Sequence, residues 1–245
     1  MGLMAGADER CSREDILAVP LPEATRTYRP VPNGLVLDMV EDEVTRVYGV
    51  SKDDMEVELA MSSDGQQMFG SLIVPEVYNE RFQSALNIVF RNSYNKSINL
   101  AFGGGANCGI CTNLQVFGSI QKMRKHTTNI FEDLGDMVHH VVLNSGEAFK
   151  GSMEMAERLQ SMPISMDDSF RAIGLAMGRK VLMPRQASVA YSELRESTYE
   201  EFREENVWSL YNHFTEALKR GPVGDIMTRH EKATDFFRNE FALAA

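Results

Sequence analysis

Two short stretches carry side chains suited to chemistry. Positions 91 to 97 read Arg-Asn-Ser-Tyr-Asn-Lys-Ser, and positions 122 to 128 read Lys-Met-Arg-Lys-His-Thr-Thr. Both interleave cations with short hydrogen-bond donors, the side chains that hold phosphate oxygens. Arg91, Asn92, Lys96, Lys122, Arg124, Lys125 and His126 are therefore candidate phosphate ligands. Tyr94 and Phe102 are candidate stacking rings, on the expectation that one sheet face is open. Both stretches fall in residues 81–131, which hold six cations and no Asp or Glu. The whole chain has 35 acids in 245 residues and a formal charge of −10, so everything outside this +6 block carries −16. A basic face on an acidic body suits an anionic partner. Buried strands, which are poor in acids, would produce the same gap.

Other patterns point less far. Cys108 and Cys111 form C-x-x-C, but no second pair completes a zinc set. His139 and His140 are adjacent, so on a helix they diverge by about 100 degrees. His213 and His230 sit apart on amphipathic stretches. Gly103-Gly104-Gly105 is accompanied by neither G-x-G-x-x-G nor G-K-[ST], and reads as a sharp turn. These patterns assign no catalytic residue, no metal ligand and no cofactor. Three cysteines, an odd number, fit a reducing cytoplasm. No apolar run approaches 18 residues and the start has no secretory h-region, so a cytoplasmic protein without a membrane partner is expected.

The elements that must position these residues follow from periodicity. Residues 1–18 read as a loose arm. Prolines 20, 22, 30 and 32 make the next stretch an extended strap, a candidate subunit contact. Asn33 caps a helix to Tyr48 with Gly49 as its stop, its acids Asp38, Glu41, Asp42 and Glu43 on a solvated face. Residues 55–61 and 66–74 alternate around an Asp64-Gly65 turn, which predicts a hairpin. A helical or loop passage follows to residue 84. Strands are predicted at 85–91, 97–102 and 107–117, and helical spacing from about 119 to 160. Ser165 or Asp167 caps a helix stopped by Gly178, and residues 179–197 fit no element. One long helix is predicted from Thr198 to Arg220 and a last one from 223 to 241. The fold class is α+β: an antiparallel meander of about five strands, a long helix packed on one face, and a helical C-terminal half. The organisation reads as an arm (1–30), a core domain (31–162) and a helical region (163–245).

Taken in order, the pieces PLPEATRTYRPVPNG, SSDGQQMFGSL, FRNSYNKSINLAFGGG, CTNLQVFG, RKHTTNI and NVWSLYNHFTEALK resemble a phage- and plasmid-borne bacterial family of unknown function. The matching positions are Arg91, Asn92, Ser93, Lys96, Ser97, Cys111, Asn113, Arg124, Lys125, His126, Thr127, Asn206, Trp208 and Glu216. Tyr94-Asn95 stand where that family carries His-Asp. The resemblance implies mobile-element origin. The order of helix, meander and long helix is similar, by topology alone, to phage single-strand annealing proteins. The expected function is nucleic-acid binding, single-stranded DNA foremost, in annealing or as a recombination accessory, with a homo-oligomer as the working form. The alternatives are an anti-defence or host-modulating protein that binds a host protein or a nucleotide, and a metal-dependent nuclease.

Overall fold

The computed structural model describes residues 9–108, 114–221 and 225–241, with the side chains of 9, 107, 108, 114–119 and 226 left out. Six strands form one antiparallel sheet in sequence order: β1 (Glu9–Cys11), β2 (Glu56–Met61), β3 (Gln67–Asn79), β4 (Ser84–Ser93), β5 (Leu100–Cys108) and β6 (Leu114–Arg124). The helices are α1 (Arg13–Ala18), α2 (Asn33–Tyr48), α3 (Ile130–Gln160), α4 (Met166–Gly178), α5 (Pro184–Arg195), α6 (Val207–Leu218) and α7 (Ile226–Glu240). The fold is α+β, with a helical C-terminal half. Side chains alternate across the sheet with period two. Leu72, Leu86, Ile88, Phe90, Leu100 and Phe102 share one face, which α2 and α3 bury. Val89, Arg91 and Gly103 point to the other, where Met227 of α7 packs.

Several boundaries differ from the sequence expectation, each for a physical reason. Within the arm β1 pairs with β2, and Ser12 caps α1 in a reciprocal box with Asp15. This supplies the sixth strand. Arg13 then reaches Glu41 at 2.7 Å and also Asp38, so Glu41 is buried rather than part of a solvated face. The passage after Val74 stays in β3 to Asn79, with a bulge between Val74 and Tyr78 that accommodates Pro75, which lacks an N–H. The three glycines lie inside β5 and not at a turn. A Cβ on Gly103 would sit 2.5 Å from Met227 Cε and 3.3 Å from Val89, so the missing side chain is what lets α7 close on the sheet.

β6 runs to Arg124, well past residue 117, and α3 begins only at Ile130. Lys122 and Arg124 are thus strand residues, not helix residues. α3 continues unbroken through Gly135 and Gly146. The long helix expected from Thr198 is two pieces: a 3-10 turn at Glu200–Phe202, then α6 with Asn206 as its cap. A backbone clamp starts α6 there, with Val207 N donating to Met162 O at 2.9 Å and Ile164 N to Glu205 O at 3.0 Å. α5 occupies the stretch that fitted no element.

Candidate nucleic-acid interface

The first motif is divided between the two sheet faces. Arg91 is buried on the α7 side, where Nε donates to Asn99 O at 3.3 Å and a terminal nitrogen lies 3.5 Å from Met123 Sδ. Burial lowers its guanidinium pKa, and attraction to Asp225 offsets part of that. Asn92, its neighbour, faces the opposite way and is 0% exposed. Neither is a surface phosphate ligand in this geometry.

Asn92 is the hub of a buried network. Its Nδ2 donates to Val31 O at 2.7 Å and to Asn33 Oδ1 at 2.8 Å. Its Oδ1 therefore accepts from His126 Nε2 at 2.7 Å, which fixes the proton on that ring nitrogen. Burial lowers the His126 pKa, so the ring is neutral at pH 7. Asn33 does not cap α2 with its side chain, because that side chain is engaged by Asn92. Tyr94 is buried too: its hydroxyl accepts from Asn33 N at 2.9 Å, and its carbonyl accepts from Tyr28 at 2.9 Å. Phe102 lies in the core at 0% exposure. The two expected stacking rings are thus packing groups, and His126 is a fastener. Together these residues pin the strap to β4, α2 and the β6–α3 link.

What the network holds open is a groove of about 320 Å³. Thr27 and Tyr28 of the strap, Lys96, Ile98 and Asn99 of the β4–β5 turn, and Lys125 to Thr127 of the link line it. Lys96 sits at φ 62, a left-handed backbone stabilised by Asn95 Oδ1, which accepts from Ser97 N at 3.1 Å. Its ammonium lies 4.3 Å from the centre of the Tyr28 ring. Lys96, Lys122 and Lys125 pair with no acid among the described residues. Arg124 differs, because it bridges to Asp133 of α3 at 2.5 Å.

Two neighbours of the groove carry no prediction from the sequence. Arg29, one residue past Tyr28, places its guanidinium 5.7 Å from the Phe131 ring, and Phe131 is 41% exposed. Phe131 closes the acid-free block, which was the available signal; Arg29 lies outside it and carried none. His139, expected only as half of a poor metal pair, contacts Glu43 at 2.7 Å across the α2–α3 seam. His213 and His230 are buried. Cys111 and Asn113 lie outside the described residues, as does the Cys108 side chain. Among the described residues no three His, Cys, Asp or Glu side chains gather as metal ligands, and no helix is long and apolar enough to cross a membrane.

No family model, no curated protein and no solved structure matches this chain.

Proposed function

We propose that this protein binds single-stranded nucleic acid, DNA foremost, along the groove between the strap and the β4–β5 turn, as an annealing or recombination accessory of a mobile element. The observation that carries the reading is the convergence of Lys96 and Lys125, both without acidic partners among the described residues, on one cleft. Asn99 and Thr127 add polar groups to the same walls. A cleft near 320 Å³ is at the small end of ligand sites and suits single residues of a flexible strand. In this reading Lys96, Lys125 and the exposed Lys122 neutralise backbone phosphates, and Phe131 backed by Arg29 offers a stacking platform. Arg91, Asn92, Tyr94 and His126 act as the frame that sets the spacing of those groups.

Fluorescence anisotropy of a labelled single strand of about 40 nucleotides, and of its duplex, tests this at two salt concentrations. The test variant combines Lys96→Asn, which keeps a residue that tolerates positive φ, with Lys125→Ala. Single-strand affinity is expected to fall at least about tenfold at low salt. The slope of log K against log salt should drop by about 1.4, two phosphate contacts at about 0.7 each. A variant that binds like the parent, or a parent that does not bind at low salt, would remove the proposal.

A further inference from the structure

A second cavity, of about 450 Å³, lies in the helical half between α4, α5, the 3-10 turn and the start of α6. Its floor is polar and buried. Ser209 is 2% exposed, lines the cavity, and its Oγ has no hydrogen-bond partner among the described residues. His213, one turn further along α6, is 4% exposed, and its ring makes no hydrogen bond among the described residues. Burial pushes its pKa down to about 4, against the pull of nearby Glu193, so the ring is neutral at pH 7 and one nitrogen is an acceptor. Glu193 of α5 is buried as well. It accepts from Thr198 N at 3.0 Å and Thr198 Oγ1 at 2.6 Å, and it pairs with no cation among the described residues.

Thr198 supplies hydrogen bonds to both Glu193 oxygens, but no cation among the described residues faces them. Here the carboxylate shares a cavity with two uncommitted oxygen or nitrogen acceptors. The rim adds Glu196, Glu204 and Glu205. Of the two rim arginines, Arg203 bridges to Glu200 at 3.2 Å and Arg195 is exposed to solvent. The start of a helix favours anions, but two of the first amides of α6 are already used. Val207 N bonds Met162 O, and Ser209 N bonds Asn206 Oδ1 at 2.9 Å. The buried groups left to a ligand are the Glu193 carboxylate, the Ser209 hydroxyl and the His213 ring, and on the whole lining acids outnumber arginines four to two.

We propose that this cavity binds a primary ammonium group carried by a small organic amine, its nitrogen held by the Glu193 carboxylate, Ser209 Oγ and the His213 ring. An ammonium brings three donors and one positive charge, which matches three acceptors, one of them a carboxylate. This site is separate from the groove, and its ligand need not be a nucleic acid.

Calorimetric titration of the full chain with n-butylamine and with n-butanol, which differ in the head group alone, is the direct test. The amine is expected to saturate one site per chain and to bind at least about tenfold more tightly than the alcohol, the effect of a charge-assisted contact. Nα-acetyl-lysine N-methylamide as a third titrant separates sources. Weaker binding than butylamine indicates a free amine, and stronger binding indicates a protein lysine; either ranking keeps the ammonium site. Glu193→Gln, whose amide oxygen can still accept from Thr198, should lower amine affinity about tenfold or more. Equal affinity for amine and alcohol overturns the proposal without any variant. So does an absence of saturation with either, or a folded Glu193→Gln protein that binds amine as the parent does.

Discussion

Replacing Asn92 with Leu is expected to destabilise the protein by about 3–5 kcal/mol and to lower its melting temperature by about 10 °C. Leu keeps the branched shape and heavy-atom count of Asn, and its greater volume adds some overpacking to the loss. What changes is that three buried groups lose their partner together: the Val31 carbonyl, the Asn33 amide oxygen and the His126 Nε2–H. Each stranded polar group in such a site costs about 1–3 kcal/mol. The three also belong to different segments, so none can follow another to a new partner without moving the strap. Thermal and urea unfolding check the figure. A loss below about 1 kcal/mol would mean that water replaces Asn92 and that the hub is not what fastens the strap. The same variant should weaken strand binding while still folded, because Lys96 and Lys125 hang from the segments that Asn92 joins.

The second large effect is expected at Gly70. It stands opposite Phe90 in the β3–β4 pair, and the Phe90 ring lies over it. A Cβ at position 70 would fall 2.1 Å from both Cε2 and Cζ of that ring. Gly70→Ala therefore forces Phe90 out of a site where it is 1% exposed, at about 3 kcal/mol, near the top of the range for overpacking. The cost belongs to the pair, so Gly70→Ala combined with Phe90→Leu should recover part of it. A double-mutant cycle by urea unfolding reads this as a coupling of about 1 kcal/mol or more. Strictly additive losses would show that the ring is free to move and that the glycine serves another purpose.

The contrast between these two positions marks what a sequence reader can reach. The α2 boundaries and the Asp64-Gly65 hairpin were legible, because apolar period, stop glycine and turn chemistry are local. Gly103 was read as a turn because glycine suits turns, yet its role is set by Met227, more than a hundred residues away. The same blindness affected the candidate site. Arg91 and Asn92 share a polar composition, but β4 runs on past the predicted end at residue 91, and its period sends the two to opposite faces. No local pattern could have announced that Asn92 meets Val31 and Asn33, or that Tyr94 is buried under the strap. Lys96 and Lys125 are exposed as expected, because surface cations follow from composition, and composition is what a sequence states most directly.

The order of the sheet has a kinetic consequence. From β2 to β6 each strand pairs with its chain neighbour, so this meander closes short loops and gains contacts early. The strap is the opposite case: Tyr28, Val31 and Asn33 meet residues about sixty or more positions later, and Arg29 N bonds His126 O across nearly a hundred. Those contacts carry the greater chain-entropy cost and need β4 and the β6–α3 link in place beforehand. Refolding should therefore protect the amides of β3 and β4 before those of Arg29 and Asn33, as pulse-labelled hydrogen exchange would resolve; simultaneous protection would contradict it. The groove, on this account, does not exist until the last act of folding, and a chain stalled one step short would hold the β2–β6 meander with the groove still unformed.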